Sequence, residues 1–413
     1  MGTILMIDTK KCRSDFPLLK RKVNGKRIVY LDSAATSLKP QSVIDAVTSY
    51  YTDCTANVFR GIYKISEEAT QKYEDGRSMV AKLVGATSDQ IVFVRNTSEA
   101  LNLIAYSYFY PRITPQSSVV TTIMEHHSNF VPWQQMAMEK NAQFRIWYCD
   151  ADGVLDLSEI KNLVDTNTVL FTFTAVSNVL GTINPVKEIV AEVKKINPGC
   201  LVVVDAAQAV PHMPVDVRDW GADAVAFSSH KMLGPSGAGA LWATKKMLAD
   251  MKPFMYGGDM IREVHEKETM FQEPPHKFEA GTPFIEGAFG FGRAAQYLME
   301  AGMGNVRDHE KKITEYALGK LSEIKGLTVF GPKVLEKKAG VIAFRVDGVH
   351  PHDVAQVLDE EAVCIRVGYH CAMPLHEYLK IGPTCRASFS IYNDTDDIDA
   401  LVSGLKNVQK MFS

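Results

Sequence analysis

Short apolar runs alternate with longer segments of helical periodicity between residues 90 and 229. The runs that predict strands are residues 90–95, 117–124, 142–149, 168–176, 200–207 and 222–229. Several are apolar without alternation, as expected for strands that are covered on both faces. Between them, segments such as residues 99–109 and 186–196 space their apolar positions as helices do. The alternation predicts an α/β fold with a mainly parallel sheet, whose ligands bind at the carboxyl ends of the strands.

The C-terminal part of the chain has a different pattern. Residues 340–348 and 387–393 predict strands, and residues 394–412 predict a closing helix with acids in its first turn. One face of this helix carries the apolar residues Ile398, Leu401, Val402, Leu405 and Val408. Strands and helices in this order indicate a separate, smaller α+β domain.

The pattern divides the chain into two domains. We predict a large domain over residues 30–288 and a small domain formed by residues 1–29 and 289–413. A helix over residues 286–302 is expected to link them. The first thirty residues lack the strand–helix alternation, so we expect them to pack on the small domain.

Composition excludes several classes of function. The chain has 413 residues, of which 46% are hydrophobic and 23% charged, and its net charge is −3. These values are ordinary for a soluble globular protein, and no basic stripe predicts nucleic-acid binding. The sequence has no apolar run long enough for a signal peptide or a membrane helix. We therefore expect a cytoplasmic protein.

The cysteines are scattered and never in C-x-x-C spacing, which disfavours a disulfide framework or a structural zinc site. There are seven of them: Cys12, Cys54, Cys149, Cys200, Cys364, Cys371 and Cys385. Most are expected to be buried or free thiols.

Polar side chains with catalytic potential follow two predicted strands. Asp205 ends the run "LVVVD", with Gln208 three residues later, and the run "AVAFS" is followed by His230 and Lys231. Taken singly, an Asp here is often a helix cap and a Lys is usually solvated. Together they suit pyridoxal phosphate (PLP), which needs a lysine amine, an acid on its pyridine nitrogen and donors for its phosphate.

Several motifs carry a resemblance to a known family. They are "VYLDSAATSLKP" (29–40), "MEHHSNFVPW" (124–133), "VSNVLGTINP" (176–185), "VVVDAAQAV" (202–210), "FSSHKMLGPSGAGAL" (227–241), "FEAGTP" (278–283) and "YHCAMP" (369–374). In this order they resemble class-V aminotransferase-like enzymes of fold type I, and are most similar to cysteine desulfurases of the sulfur-mobilisation type. The resemblance covers nearly the whole chain and implies a mainly parallel sheet of the seven-stranded type with a small α+β domain.

The resemblance implies roles for the residues of a PLP site. Lys231 would bind the cofactor covalently and later move the Cα proton of the substrate. Asp205 would pair with the pyridine nitrogen, and His126 would stack on the ring and assist proton transfers. The residues implied as further contacts of the cofactor are Gln208, Thr97, Ser98, Asn178, Ser228, His230 and Thr282. A metal site shared by His126 and His127 is disfavoured, because neighbouring residues of a strand point to opposite faces. By the resemblance, His127 is structural.

The resemblance also implies how the substrate is held. Arg386 would bind its α-carboxylate through a bidentate fork, although without the resemblance a surface ion pair of the small domain is favoured for this arginine. Arg366 and Asn178 would assist near the cysteine loop. Thr282 would reach the phosphate from a neighbouring subunit, and Arg60 would lie near the partner's active-site mouth. Both imply a homodimer with sites at the interface.

The implied activity is cysteine desulfuration: L-cysteine becomes L-alanine, and sulfur passes to Cys371 as a persulfide for an acceptor or an iron–sulfur scaffold protein. Selenocysteine lyase activity at the same site is an alternative. Kynureninases and epimerases share the lysine and aspartate but not the cysteine motif. A non-enzymatic sulfur carrier with an inactive site is a further alternative, disfavoured by the intact set of Asp205, Gln208, His230 and Lys231.

Three motifs suggest other chemistry but lack the context that it needs. "GPSGAG" (234–239) has no following Lys-Ser/Thr, and "GFGRAA" (290–295) follows a poor strand, so neither is a nucleotide site. His370, Cys371 and His376 have poor spacing for zinc, and we expect no metal. Tyr369 stands where the family often has a histidine, so the group that tunes the Cys371 thiolate stays open.

Overall fold

The computed structural model describes residues 7–412. Its helices are α1 Thr9–Ser14, α2 Gln41–Asp53, α3 Lys64–Leu83, α4 Thr97–Ile104, α5 Val131–Glu139, α6 Ile160–Leu163, α7 Val186–Ile196, α8 Val217–Trp220, α9 Lys245–Asp250, α10 Ile285–Ala301, α11 Met303–Ser322, α12 Pro351–Glu360, α13 Met373–Leu379 and α14 Thr395–Phe412. No helix of this part of the chain is both long and apolar enough to cross a membrane.

The strands form one large sheet and several smaller ones. Their bounds are β1 Lys22–Val23, β2 Lys26–Arg27, β3 Val29–Tyr30, β4 Ile91–Val94, β5 Ser118–Thr122, β6 Gln143–Trp147, β7 Thr168–Thr174, β8 Leu201–Asp205, β9 Ala224–Ser228, β10 Gly239–Ala243, β11 Ile261–Val264, β12 Thr269–Phe271, β13 Leu327–Phe330, β14 Val341–Val346, β15 Val363–Cys364, β16 Arg366–Gly368 and β17 Thr384–Ser388.

The large sheet has seven strands in the order β4-β10-β9-β8-β7-β5-β6. Strands β9, β8, β7, β5 and β6 are parallel to one another, whereas β10 is antiparallel to both β4 and β9. Apolar clusters cover both faces, as the continuous apolar runs predict. The predicted α/β fold with a mainly parallel sheet is confirmed.

Strand β10 is missing from the sequence-based prediction because it starts in a glycine-rich stretch. Gly239 is required there by a close approach: a Cβ atom on it would lie 2.8 Å from the Cα of Asn96. The strand thereby seats the start of α4 against the sheet. The motif "GPSGAG" is therefore the turn into β10, and residues 290–295 of "GFGRAA" lie inside α10.

The C-terminal sheet has the antiparallel order β13-β14-β17-β16, and α11, α12 and α14 share its core. The strand predicted at residues 387–393 is wrong in its bounds, since β17 ends at Ser388. Ser390 to Asn393 form a turn instead, in which the backbone N–H of Ser390 donates to Asn393 Oδ1 at 2.9 Å. The apolar run continues through this turn, so hydrophobicity alone does not mark the end of the strand.

The N-terminal residues contact C-terminal elements. Strand β3 pairs in parallel with β15, and both Arg13 and Arg27 bind the buried carboxylate of Asp397 at 2.9 Å. Such contacts are expected if residues 1–29 pack on the small domain. Residues 1–6 of this segment lie outside the described residues. The domain bounds themselves stay a prediction.

Candidate active site

The carboxyl ends of β8 and β9 and the start of α4 face one cavity of about 250 Å³. Parallel neighbours place their carboxyl ends at one edge of a sheet, which brings Asp205 and the turn after Ser228 together. The residues lining the cavity are Ala34, Ala35, Asn96, Thr97, Ser98, His126, Ser128, Asn178, Asp205, Ala207, Ser228, His230, Lys231, Arg366, His370, Cys371 and Arg386.

Asp205 is a buried acid at the base of this cavity. Its Oδ1 accepts a hydrogen bond from the backbone N–H of Ala207 at 2.9 Å, and no ion pair of its carboxylate is found in residues 7–412. Burial raises the pKa of Asp205, while the positive charge of Lys231 lowers it. A protonated ring nitrogen beside this carboxylate would compensate its charge.

Lys231 lies in the short turn that follows β9. Burial lowers its pKa, and Arg386 lowers it further, against the opposing effects of Asp205 and Cys371. The change favours the neutral amine, which is the form that reacts as a nucleophile or base. Burial and the charge of Lys231 also lower the pKa of His230 to about 4, so this imidazole is neutral near pH 7.

The N-terminus of α4 forms a cluster of hydroxyl groups beside the cavity. Ser228 Oγ lies 2.6 Å from Thr97 Oγ1 and accepts from the backbone N–H of Thr97 at 2.8 Å. Ser98 Oγ lies 2.5 Å from Ser128 Oγ. Asn96 caps the helix by accepting from the backbone N–H of Glu99. Free backbone N–H groups, the helix dipole and these hydroxyls together favour a bound anion.

His126 and His127 act on different partners. His126 lines the cavity, and its Nδ1 accepts from the backbone N–H of Ser128 at 3.1 Å. Burial and the nearby Lys231 lower its pKa to about 3, which keeps the ring neutral. His127 instead binds residues 371–373, here called the cysteine segment.

Two hydrogen bonds join His127 to the cysteine segment. Its backbone N–H donates to the carbonyl oxygen of Cys371 at 2.7 Å, and its Nε2 accepts from the backbone N–H of Met373 at 3.1 Å. His370 and Cys371 have φ angles of 49° and 58°, a left-handed conformation that costs non-glycine residues roughly 1–2 kcal/mol each. The anchors offset this strain and hold Cys371, whose residue is solvent-exposed, at the rim of the cavity.

The imidazoles near Cys371 already have partners. His370 Nε2 lies 2.9 Å from Thr384 Oγ1, and His376 Nδ1 lies 3.0 Å from the carbonyl oxygen of Ala372. Burial lowers the pKa of both rings, that of His370 to about 2. Tyr369 is more than one-third exposed and packs edge-on against His376. A ring nitrogen that makes one of these hydrogen bonds is not free to bind the zinc ion considered above.

Arg386 is fully enclosed on β17 and points its guanidinium into the cavity. Its Nη1 donates to the carbonyl oxygen of Asn178 at 2.9 Å, and its Nη2 to Asp32 Oδ1 at 3.3 Å. Its Nε is buried and has no partner in the described part of the chain. Arg366 lies 3.7 Å from the same Asp32 and is more exposed. Arg386 therefore keeps donors available for an anionic ligand.

The structure brings most of the predicted site residues together, but not all. Gln208 is buried beside the cavity without lining it, and its Nε2 donates to the carbonyl oxygen of Ala34 at 2.8 Å. Thr282 lines a separate cavity of about 400 Å³, and Arg60 pairs with Asp259 at 2.9 Å on another part of the surface. The roles assigned to these three residues stay predictions.

Several residues of the site escape prediction from the sequence. Asp32 and Ser128 lie within the quoted motifs, but nothing in their spacing indicates that they meet Arg386 and Ser98. Glu125 precedes His126 and is fully buried, with Thr174 N–H donating to its Oε1 at 2.9 Å. The one signal for Glu125 is a charged residue directly after an apolar strand.

Comparison with known proteins decides the family. The model of the class-V aminotransferases matches residues 29–401. The chain belongs to the class-V aminotransferase family.

Two similar proteins of this family carry the name cysteine desulfurase. A probable cysteine desulfurase of Streptomyces coelicolor is 45% identical over 98% of this chain and 98% of its own length. A cysteine desulfurase of Yersinia pseudotuberculosis is 45% identical over 97% of this chain and 98% of its own. The family resemblance seen in the motifs is confirmed; the sulfur-mobilisation subtype stays a prediction.

Solved structures agree with the class-V aminotransferase fold. The apo cysteine desulfurase of Thermococcus onnurineus superposes with a TM-score of 0.93 at 37% identity, and each chain is fully covered. The cysteine desulfurase CsdA of Escherichia coli gives a TM-score of 0.91 at 31% identity, covering 99% of this chain and all of its own. Both matches span the cavity and the cysteine segment.

Proposed function

We propose that this chain is a PLP-dependent cysteine desulfurase, which converts L-cysteine to L-alanine and collects the sulfur as a persulfide on Cys371. The carrying observation is one cavity that joins a half-buried lysine, an arginine with free donors and an exposed cysteine: Lys231, Arg386 and Cys371. The names of the similar proteins support the same reaction.

The residues of the cavity fit PLP. Asp205 is a buried carboxylate without an ion pair in the described residues, as a pyridinium nitrogen requires. The hydroxyls of Thr97 and Ser228 at the start of α4 suit the phosphate, and Lys231 supplies the amine. When bound, PLP withdraws electrons from the substrate Cα and so makes its proton easier to remove.

Three side chains of the cavity have separate roles in the reaction. Arg386 binds the α-carboxylate of cysteine with its free N–H groups. Lys231 takes the Cα proton, a role for which burial has lowered its pKa. His126 lines the same cavity and would help to hold the cofactor as a neutral imidazole, since burial lowers its pKa to about 3.

Sulfur transfer is a displacement at the substrate sulfur. The Cys371 thiolate attacks Sγ, an S–S bond forms, and the Cβ–Sγ bond breaks with its electron pair remaining on the carbon skeleton. Cβ then takes a proton to become the methyl group of alanine. The sulfur is oxidised and the carbon reduced, so no external oxidant or reductant is needed. The persulfide ends on an exposed residue, from which an acceptor can remove it.

A homodimer completes the proposed site. Thr282 and Arg60 do not line the cavity of their own chain, and Thr282 is exposed. Apolar residues near them in the sequence are also exposed, and Ile62 is 96% exposed, which is unusual for an isoleucine. A second copy that covers this surface would bring Thr282 to the partner's phosphate. The exposed residues are Phe59, Ile62, Tyr63, Met255, Tyr256 and Phe284.

The destination of the sulfur follows from its chemistry. A persulfide on Cys371 is transferable to a thiol, so we propose an acceptor protein or an iron–sulfur scaffold protein as the partner. Iron–sulfur cluster assembly in the cytoplasm is the proposed setting.

The test is PLP binding and product formation. The purified protein should show the visible absorbance of a lysine-bound PLP and release alanine from L-cysteine. Cys371→Ser should keep the absorbance and lose sulfur transfer, whereas Cys364→Ser, outside the cavity on β15, is the matched control and should keep both. Full activity of Cys371→Ser would contradict the proposed role of Cys371.

A further inference from the structure

Residues 31–40, here called the bridging loop, connect β3 to α2 and contact both the turn of Lys231 and the strand of Arg386. Its sequence is "LDSAATSLKP". Ala34 and Ala35 line the cavity, but no polar side chain of the loop does. Asp32 instead contacts Arg386, and the side chains of Thr36, Ser37 and Lys39 contact the carbonyl oxygen of His230.

One end of the bridging loop binds the peptide bond before Lys231. The carbonyl oxygen of His230 accepts from Ser37 N–H at 2.9 Å, Thr36 Oγ1 at 3.0 Å, Lys39 Nζ at 3.0 Å and Ser37 Oγ at 3.1 Å. A carbonyl oxygen has two lone pairs, so four donors are a dense set for one atom. The peptide that carries Lys231 is therefore held from several directions.

Lys39 contributes the only charged donor of this group. Its ammonium has three N–H groups and meets three oxygens: His230 O at 3.0 Å, Ser37 O at 2.5 Å and Thr36 Oγ1 at 3.3 Å. All three are neutral, and burial lowers the pKa of Lys39 to about 8. A partly buried cation without an acid costs desolvation energy that an apolar side chain would not. The hydrogen bonds to the turn explain why a charge is present here.

The other end of the bridging loop holds the arginine. Asp32 binds Arg386 at 3.3 Å, and the loop backbone pairs with β17, since Ser388 N–H donates to Leu31 O at 2.8 Å. Gln208, in the turn that follows β8, adds a contact to the middle of the loop through Ala34 O. The loop thus connects two groups that lie 155 residues apart, Lys231 and Arg386.

We propose that Lys39 is a positioning residue for Lys231, which acts through the carbonyl oxygen of His230. Proton transfer depends steeply on the distance and angle between the amine and Cα, and the substrate that carries Cα is held by Arg386. The bridging loop fixes both groups relative to each other, and Lys39 secures its lysine end. The inference rests on the proposed function, because it needs Lys231 to move the Cα proton.

The test is Lys39→Met, measured on the holoenzyme by kcat, by KM for L-cysteine and by the dissociation constant of PLP. Loss of one charge-assisted hydrogen bond should lower kcat about tenfold and weaken PLP binding by a similar factor. KM should change little, because Asp32 and Asn178 still hold Arg386. Lys39→Arg keeps the charge and should recover part of kcat.

Lys194→Met is the matched control. Lys194 is also a partly buried lysine that donates to a backbone carbonyl, Cys200 O at 2.8 Å, but it lies at the opposite end of β8 from Asp205. This variant should keep kcat and PLP affinity. Thr36→Val removes a neutral donor from His230 O and should lower kcat by a smaller factor than Lys39→Met.

The outcomes separate the two proposals. Wild-type kcat and PLP affinity in Lys39→Met, or equal losses in Lys39→Met and Lys194→Met, would overturn the positioning role while the desulfurase proposal stands. A wild-type protein that binds no PLP would overturn both. A fall in kcat confined to the Lys39 and Thr36 variants, with KM retained, supports the positioning role.

Discussion

Two buried carboxyl groups lie at the same end of the sheet but differ in their partners. Burial raises the pKa of Asp205, and the positive charge of Lys231 opposes that rise. Glu125 faces only neutral donors, and burial raises its pKa to about 8, with Asp205 adding to the rise. At neutral pH Glu125 therefore holds a proton and adds no negative charge beside Asp205.

The protonation of Glu125 predicts how stability varies with pH. Between its ordinary pKa of 4.5 and about 8, the folded state keeps a proton that the unfolded state releases. Stability from this group should fall as pH rises, by at most about 1.4 kcal/mol per pH unit. In Glu125→Gln this part of the slope should disappear, measured by urea unfolding across the range. Exposed Glu139→Gln is the control and should keep the wild-type slope; an unchanged slope in Glu125→Gln would contradict the assignment.

The contacts of Arg386 predict that its replacement lowers the affinity for L-cysteine more than it lowers kcat. Arg386→Lys keeps a positive charge but removes the planar fork, and lysine cannot bond Asn178, Asp32 and a carboxylate in the same geometry. We expect KM for L-cysteine to rise about tenfold or more, with a smaller change in kcat. Arg345→Lys, an exposed arginine on the neighbouring β14, should leave KM unchanged. A fall in kcat alone would assign Arg386 to a later step.

At the scale of elements, the cysteine segment depends on the turn after β5. His127 anchors the carbonyl of Cys371 and the N–H of Met373, and only its ring contact is removable by mutation. His127→Ala should lower kcat about ten- to hundredfold, because a displacement of about 1 Å at a nucleophile has effects of this size. PLP absorbance should be retained, since His127 does not line the cavity. Loss of PLP together with activity would show instead that the turn as a whole had collapsed.

At the scale of the whole molecule, the position of Thr282 outside its own cavity predicts complementation between subunits. In the proposed homodimer, the Lys231→Ala and Thr282→Ala variants should each be impaired, but mixed dimers would contain one site with both wild-type residues. Refolding or co-expression of the two variants should therefore restore part of the wild-type activity. Lys231→Ala mixed with Cys371→Ser is the control, because these residues share a cavity and no intact site can form. No recovery with Thr282→Ala would place this residue outside the partner's site.

The resemblance of the motifs to a family implied most residues of the cavity, and the apolar pattern by itself determined six of the seven strands of the large sheet. This is possible because continuous apolar runs mark buried strands, and the residues that follow parallel strands share one edge of the sheet. Asp205 and Lys231 were predictable for this reason, as was α7 at Val186–Ile196. Strand β10 and the end of β17 were not, because glycine and a side-chain-stabilised turn leave no clear apolar signal.

Only the tertiary structure decided how distant segments hold the reacting groups. The anchoring of Cys371 by His127 joins residues 244 positions apart, and the bridging loop joins Lys39 to the turn of Lys231. The pKa of Glu125 likewise depends on burial among β5, β7 and the turn that follows β5. Such contacts depend on packing between elements, and a linear pattern of apolar and polar residues records the type of each element but not the neighbour it meets.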